Sequence, residues 1–357
     1  MLLHQRARGA LRRRQFRRAQ SACLESLRLL RRGRSTPQLV AAVYQTLGEI
    51  HEVRGEYARA QHYYDQALHA IRSAPPASLV DPEDYVSAVL RLAHILHLRA
   101  HYQKAEVLLK SALAREGSPR KRRNPLIPIV ENHLGALYKE TGKYAAAERM
   151  YRRALSKVKH QYPDSLLLAV LYHNLGGLEH VRGRYVRGEA LLRQAVALRE
   201  RLLGPDHPTV AADLSALAAL LDGQHKFAES EVLYRRAIRT FRRCRDRLEL
   251  AFNYNNLATV RLLRGDTVEA ARLYRRAVSI KEHLLGRDHP GLATTLNNLG
   301  LLYLRSEHRS EARRILRRAS KMFDRSLGRS HPKTTSSDAV YQAVVKGKPV
   351  VAGVLSL

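Results

Sequence analysis

Tryptophan is absent from this chain of 357 residues, and cysteine occurs at two positions only, Cys23 and Cys244. Two cysteines cannot build a disulfide framework for a chain of this length, so the sequence predicts a reducing compartment, and we expect a cytoplasmic protein. No apolar run reaches membrane-spanning length, and no secretory hydrophobic region lies near Met1. A membrane-spanning protein is therefore not expected.

Acidic residues are also scarce, since 32 Asp and Glu stand against 63 Lys and Arg, which gives a net charge of +31. Such a balance favours an acidic partner, namely nucleic acid, an anionic membrane or an acidic protein segment. Arginine greatly outnumbers lysine, however, and biased codon usage can produce the same excess. The charge alone leaves both explanations open.

Catalytic signatures are missing as well. The chain contains no H-E-x-x-H, phosphate-loop, G-x-S-x-G or dinucleotide-binding motif. His94, His97 and His101 have helical spacing, but no cysteine or carboxylate cluster completes a metal-binding set beside them. We expect no catalytic residues, no bound metal and no cofactor, and hence a non-enzymatic protein.

What the chain does contain is a repeated phrase, Asn-Leu-Gly or Asn-Leu-Ala. The phrase is complete at Leu175, Leu257 and Leu299. When the copies are registered on this leucine, hereafter the leucine anchor, the anchors lie at steps of 45, 42, 41, 42, 40 and 42 residues, at Leu47, Leu92, Leu134, Leu175, Leu217, Leu257 and Leu299. Repetition at such a period is typical of stacked supersecondary units.

Each copy continues in the same way after its anchor. In one copy Gly142 is followed by Tyr144, and small or aromatic residues then recur at helical intervals at Ala147, Tyr151 and Ala154. A connector phrase, Leu-Gly-x-Asp/Ser-His-Pro, ends several copies, with its histidine at His207, His289 and His331. Glycine followed by proline ends one helix and begins the next, and we expect these histidines to form local hydrogen bonds there. The unit is therefore helix, tight turn, helix, connector.

These motifs resemble the tetratricopeptide repeat in its longer form of about 42 residues, found in kinesin light chains and nephrocystin-3-like proteins. The resemblance covers roughly residues 39–323. It implies an all-α fold, a right-handed α-solenoid of stacked antiparallel helix pairs. The turn glycine is replaced in three copies, by Ala100, His225 and Glu307.

The register predicts four segments. Residues 1–36 are expected to form a partial N-terminal repeat whose second helix runs from Gln15 to Arg31. Its first helix is poor in apolar residues, so either that helix is frayed or the chain is a fragment of a longer array. Residues 37–327 form seven repeats, and residues 328–345 form a C-terminal capping helix. For the apolar tail, residues 346–357, the sequence leaves open whether it folds back, binds something or is disordered.

Binding specificity is expected on the first helix of each repeat, which lines the concave groove in tetratricopeptide arrays. The predicted groove residues flank the leucine anchors: Asn132, His133, Lys139, His173, Asn174, His180, Asn255, Asn256, Asn297 and Asn298. Amides donate and accept together and so suit a peptide backbone. The resemblance implies such a contact for the asparagine before the anchor, here Asn174, Asn256 and Asn298. The alternative is that these amides bond neighbouring helices to each other.

Arginine pairs recur instead in the second helices, which line the convex face in this family. The pairs are Arg152-Arg153, Arg235-Arg236, Arg275-Arg276 and Arg317-Arg318. They are interpreted as a solvated face, with a binding role as the alternative. The basic run at residues 120–123 is read as a solvated connector, with an address signal or a nucleic-acid contact as the alternative.

Three functions follow. The first is an adaptor that binds an extended peptide or a partner's helix in its groove. The second is a nucleic-acid-associated or regulatory protein that uses its arginine-rich face, and the third is an accessory solenoid of a larger signalling or biosynthetic assembly. The expected partner is a protein or peptide, with an acidic one favoured by the charge and nucleic acid ranked lower.

Overall fold

The structure is a computed structural model, and it describes residues 2–32, 36–74, 81–116, 124–329 and 332–347. These residues form seventeen α-helices and one 3₁₀ turn at Pro290–Leu292, and none of them lies in a strand. The helices are α1 (Leu2–Arg12), α2 (Phe16–Arg32), α3 (Pro37–Val53), α4 (Tyr57–Arg72), α5 (Pro82–Leu98), α6 (Tyr102–Glu116), α7 (Ile127–Glu140), α8 (Tyr144–Gln161), α9 (Leu166–Val181), α10 (Tyr185–Leu203), α11 (Pro208–Asp222), α12 (Phe227–Arg243), α13 (Arg247–Leu263), α14 (Thr267–Leu285), α15 (Ala293–Arg305), α16 (Arg309–Leu327) and α17 (Pro332–Val345).

Within each unit the helices pack in successive pairs, and second helices also pack on the first helix of the next repeat. The chain divides into two compact units, residues 1–174 and 175–357, with the boundary inside α9. The prediction of an all-α fold of stacked helix pairs is confirmed. The basic run at residues 120–123, His331 and the apolar tail after residue 347 lie outside the described residues.

The N-terminal segment that the sequence left open forms helix α1, which pairs with α2. Ala7 and Ala10 of α1 are buried against Ala19 and Cys23 of α2. Small side chains on both helices allow close packing even though α1 carries few apolar residues.

The glycine of the repeated phrase has a packing role. A Cβ atom added to Gly135 would lie 2.5 Å from Cε1 of the Tyr151 ring, and one added to Gly300 would lie 2.6 Å from Cγ of Leu316. Tyr151 and Leu316 are fully buried and lie on the second helix of the same repeat. The glycine therefore brings the two helices of a repeat into close contact.

The connector histidines cap helices as expected. The Thr209 amide donates to His207 Nδ1 at 3.2 Å, and the Gly291 amide donates to His289 Nδ1 at 3.0 Å. A proline occupies the first helical position after each histidine, where its missing N–H costs no hydrogen bond.

The turn inside each repeat requires a left-handed backbone whether or not glycine is present. Gly142 has φ of +74°, and the residues in its place elsewhere have nearly the same angle: Ala100 (+58°), His225 (+60°) and Glu307 (+60°). A residue with a Cβ atom pays roughly 1–2 kcal/mol in this conformation. Arg14 takes the same place in the turn between α1 and α2, with φ of +55°, so four of the described turns retain backbone strain.

Replacing Ala100 with glycine is expected to raise the free energy of unfolding by about 1 kcal/mol, because glycine adopts the left-handed conformation without steric cost. The matched control is Ala145→Gly, an exposed site inside α8, where the same substitution should lower stability by about 1 kcal/mol. Urea denaturation followed by circular dichroism measures both. A lower free energy of unfolding in Ala100→Gly would show that the left-handed backbone at Ala100 is not strained.

Candidate functional site

The first helices of successive repeats contact one another within each unit. Helix α3 contacts α5 and α5 contacts α7 in the first unit, while α11 contacts α13 and α13 contacts α15 in the second. The second helices pack mainly against the first helices on either side of them. Since the first helices are the more closely spaced set, they form the inner face of each unit.

In the first unit, Asn132 and Asn174 lie together on this inner face. Asn174 Nδ2 donates to Asn132 Oδ1 at 2.8 Å, and both side chains are half-buried. His173 and Lys139 are half-buried on the same two helices. The structure thus brings the predicted residues of α7 and the start of α9 to one surface.

His133 belongs to a small histidine cluster on this face. Its ring meets the ring of His94 edge-on, with the centroids 6.1 Å apart. Burial, and then the neighbouring His94 and His97, lower the pKa of His133 to about 4. His133 is therefore neutral at physiological pH and offers one N–H donor and one acceptor.

In the second unit the predicted residues divide into a half-buried set and a buried set. His180, Asn255 and Asn256 are half-buried, and Asn255 Nδ2 donates to Asn256 Oδ1 at 3.1 Å. Asn297 and Asn298 have exposed fractions of only 6% and 2%. The first set is therefore more accessible to a ligand on the surface than the second set is.

Polar side chains join successive first helices at regular intervals. The Ser337 hydroxyl on α17 donates to Asn297 Oδ1 at 2.9 Å. Four similar bonds link other first helices: His4 with Thr46 (2.9 Å), Arg91 with Glu49 (3.5 Å), Asn174 with Asn132 (2.8 Å) and Ser215 with Asn253 (2.6 Å). These hydrogen bonds between first helices show that part of the polar inner face serves to align the repeats.

Sequence reasoning missed a second set of links, on the outer side of the repeats. In α6, α10 and α12, the residue after the small residue at the fourth helical position is a glutamate that bonds the turn of the next repeat, whereas α14 and α16 have Ala271 and Arg313 in that place. Lys143 Nζ donates to Glu106 at 3.2 Å, Lys226 Nζ donates to Glu189 at 3.1 Å, and Arg264 donates to Glu231 at 2.5 Å. The recurring small-residue-then-glutamate pair was the sequence signal.

Glu189 shows how strong such a link is. Burial by itself would raise its pKa, but hydrogen bonds from Gln224, Arg193 and Lys226 outweigh burial and lower the pKa to about 2. The carboxylate is therefore ionised throughout the physiological range, and the link is charge-assisted.

Several arginines of these pairs are also occupied by contacts within the protein. In two of the pairs the first arginine forms an ion pair with a glutamate one turn earlier: Arg152 with Glu148 and Arg235 with Glu231, both at 2.8 Å. In two of the pairs the second arginine reaches the preceding repeat. Arg236 donates to Glu200 at 2.5 Å and to the carbonyl of Pro205 in the connector at 3.1 Å. Arg318 makes the equivalent contacts with Glu282 and with the carbonyl of Arg287.

In the described part of the chain, no helix is long and apolar enough to cross a membrane. The same residues include no group of three or more histidine, cysteine, aspartate or glutamate side chains that could hold a metal ion.

Comparison with known proteins identifies the repeats. A family model described as "Tetratricopeptide repeat" matches residues 167–243 and 249–325, and another model of the same description matches residues 132–159. Proteins with this repeat generally mediate protein–protein interactions, and the relatives of the kinesin light chain type are typically non-enzymatic scaffolds.

Two curated relatives show similarity over part of their length. The chain is 26% identical over 185 residues, 51% of its length, to "Protein KINESIN LIGHT CHAIN-RELATED 3" of Arabidopsis thaliana. It is 36% identical over 74 residues, 21% of its length, to "Nephrocystin-3" of Mus musculus. These matches span only 28% and 6% of the relatives themselves.

A solved structure shares the fold. The Signal Transduction ATPase with Numerous Domains (STAND) protein with a tetratricopeptide repeat sensor, PH0952 from Pyrococcus horikoshii, is 14% identical with a TM-score of 0.62, and the match covers 94% of this chain and 50% of that one. Together with the repeat register and the paired helices, these matches show that the chain belongs to the tetratricopeptide repeat family.

Proposed function

We propose that this protein is a non-enzymatic scaffold that binds an extended peptide or a partner's helix along the first-helix face of its repeats. The observation that carries the proposal is the presence of half-buried side-chain amides on that face in both units, at Asn174, Asn255 and Asn256. An amide carries two N–H donors and a carbonyl acceptor. Asn174 therefore keeps a second N–H for a ligand after its bond to Asn132.

Charge supports the same face. The helix Leu166–Val181 and residues 251–260 contain no lysine or arginine. Arg152, Arg236 and Arg318 on the second helices are instead engaged by carboxylates of the protein itself. A peptide captured by backbone hydrogen bonds needs donors and acceptors rather than a high charge density.

The buried residues take a different role in this proposal. Asn297 is held by Ser337, and Asn298 is almost completely enclosed. We assign both to the alignment of α15 with its neighbours. The ligand-contacting set is therefore Asn132, His133, Lys139, His173 and Asn174 in the first unit, with His180, Asn255 and Asn256 in the second.

The second candidate function is association with nucleic acid or another acidic polymer through the second helices, and the net charge of +31 favours it. A role as an accessory solenoid of a larger assembly is compatible with either face. The two free cysteines, of which Cys23 is buried and Cys244 exposed, fit a reducing compartment, and we propose the cytoplasm.

The experiment compares two double variants of the full chain. Asn174→Ala with Asn256→Ala alters the first-helix face, whereas Arg149→Gln with Arg239→Gln alters exposed positions on α8 and α12. Partners are captured from the native lysate at low and high salt, identified, and titrated against each variant. The asparagine variant should bind the partner at least tenfold more weakly, the loss expected for about 1.4 kcal/mol of backbone contacts.

The arginine variant should keep the affinity of the wild-type protein. The proposal fails if the folded asparagine variant binds as tightly as the wild type. A steep loss of binding with salt, combined with a loss in the arginine variant, would instead support the acidic-polymer function.

A further inference from the structure

Arginine is concentrated in the turn between α1 and α2. Residues 1–32 contain ten arginines and a single acidic residue, Glu25. Five of these arginines, hereafter the arginine turn, fall within seven residues, and all five side chains are exposed: Arg12, Arg13, Arg14, Arg17 and Arg18. The peptide site proposed above does not include them.

The arginine turn differs from the arginine pairs of the later helices in what its side chains contact. Arginines of those pairs form ion pairs with glutamates of the protein itself. In the arginine turn the bonds go to neutral oxygens, since Arg13 Nε donates to the carbonyl of Gly9 at 3.3 Å and Arg18 Nη1 donates to Gln15 Oε1 at 3.5 Å. Among the described residues, no carboxylate forms an ion pair with any of the five. Their positive charge is therefore available to a partner outside the protein.

The residues between these arginines indicate what kind of partner fits. Phe16 is the one aromatic residue between Arg12 and Arg18, and it packs against the core cluster shared by α1, α2 and α3. The only other residue there is Gln15. The turn thus offers no free aromatic ring on which a base of a single strand could stack, and no apolar side chain that could enter a membrane. It offers guanidinium groups, whose planar forks bond two oxygens of a phosphate at once.

Charge density favours a nucleic-acid duplex over an acidic protein segment. A duplex carries one charge about every 1.7 Å along its axis. An extended peptide carries at most one charge about every 3.3 Å, even if each of its residues is acidic. Five arginines within seven residues match the denser partner, because they can contact several phosphates at the same time.

We propose that the arginine turn binds the phosphate backbone of a double-stranded nucleic acid without reading its base sequence. Arg8, exposed one helical turn before Arg12 on α1, extends the basic surface. Since phosphate contacts position a protein but carry no sequence information, DNA and RNA duplexes should bind alike. This inference does not rest on the peptide site, and its surface is distinct from the outer arginine pairs of the second candidate function.

The test is fluorescence anisotropy of labelled DNA and RNA duplexes of one sequence, titrated with the full chain at several salt concentrations. Both duplexes should bind saturably, and the logarithm of the association constant should fall linearly with the logarithm of the salt concentration. The triple variant Arg12→Gln, Arg14→Gln and Arg17→Gln should weaken binding about tenfold or more. It should also reduce the salt slope by about three, because each phosphate contact contributes about one.

The matched control removes the same charge at other places. The triple variant Arg149→Gln, Arg239→Gln and Arg313→Gln changes exposed positions on α8, α12 and α16, and it should keep the affinity of the wild type for both duplexes. An equal loss of affinity in the two triple variants would overturn the proposal, because general charge attraction or the outer arginines would then account for binding. Asn174→Ala with Asn256→Ala should bind the duplexes as the wild type does, which separates this result from that of the peptide site.

Arg14→Gly separates binding from folding. Glycine adopts the positive φ of this position without steric cost, so the variant should unfold at a higher urea concentration than the wild type. It should nevertheless bind both duplexes about threefold more weakly, with a salt slope reduced by about one.

Three other results would overturn the proposal. The first is the absence of saturable binding by the wild type, and the second is unchanged affinity in the folded Arg12, Arg14 and Arg17 triple variant. The third is tighter binding to anionic phosphatidylserine vesicles than to either duplex, which would identify a membrane surface as the partner.

Discussion

Replacing Arg199 with phenylalanine is expected to lower the free energy of unfolding by about 3–5 kcal/mol, because the substitution removes the arginine that forms an ion pair with a fully buried aspartate. Arg199 of α10 forms an ion pair with Asp213 of α11. The exposed fraction is 8% for Arg199 and 0% for Asp213. Urea denaturation of the full chain, followed by circular dichroism, measures the loss.

The repeats themselves supply the control. In the next repeat the same two positions are Phe241 and Asn253, both buried. Asn253 donates to the carbonyl of Glu249, four residues earlier, at 2.9 Å. The double variant Arg199→Phe with Asp213→Asn copies this neutral pair, and it should recover most of the stability that the single variant loses. Equal losses of stability in the single and double variants would mean that the shape of the two side chains, rather than their charge, determines the loss.

Lys281 occupies the same position two repeats further on, and it should make the stability of the protein rise with pH between about 8 and 10.5. Its side chain is 2% exposed. Nζ donates to Thr295 Oγ1 at 2.9 Å and to the carbonyl of Gly291 at 3.2 Å, and it lies 4.3 Å from the centroid of the Phe252 ring. No carboxylate is among these contacts.

Burial lowers the pKa of Lys281 from its ordinary 10.5 to about 8. Below pH 8 the lysine is charged in both the folded and the unfolded state, and the folded state bears the cost of burying that charge. Between the two pKa values only the unfolded chain binds the proton, so the free energy of unfolding increases with pH, by about 3 kcal/mol in total. Above pH 10.5 this gain is complete.

The measurement compares the wild type with Lys281→Met, a variant of similar length that does not titrate. Other groups titrate in the same range, but they are common to both proteins and cancel in the difference. The wild type should gain stability relative to the variant as the pH rises from 8 to 10.5. A constant difference across this range would show that folding does not lower the pKa of Lys281.

Much of the fold was predictable because it depends on local periodicity. The register of the leucine anchors gave the helix pairs, and it also located the residues that replace glycine in the turn. At Ala100, His225 and Glu307 the chain keeps the left-handed turn without glycine. The packing of the whole repeat therefore determines the backbone conformation there, even though these residues disfavour a positive φ.

The candidate site was less predictable because it depends on contacts about forty residues apart. The sequence placed Asn297 and Asn298 on the same helix face as Asn255 and Asn256, and helical periodicity cannot distinguish the two sets. The contact that holds Asn297, made by Ser337 of α17, lies 40 residues along the chain and is not visible in that periodicity. The groove residues themselves remain a prediction.

The interpretation of the arginines was limited in the same way. When each helix is considered by itself, Arg236 and Arg318 belong to the solvated face. Their partners, Glu200 and Glu282, lie 36 residues earlier in both cases. A single sequence without these distances gives no sign that the charges are matched between repeats.

The charged bonds between repeats also determine how this array can change in length. Glu231 is matched to two arginines of the following repeat, Arg261 and Arg264, whereas Glu106 is matched to Tyr138 and Lys143. Removing one internal repeat would bring such a glutamate into contact with a turn whose side chains differ from those that it bonds now. The repeats are thus similar in shape but not interchangeable in order, and duplication or loss of a unit must be followed by substitutions on both sides of the new junction.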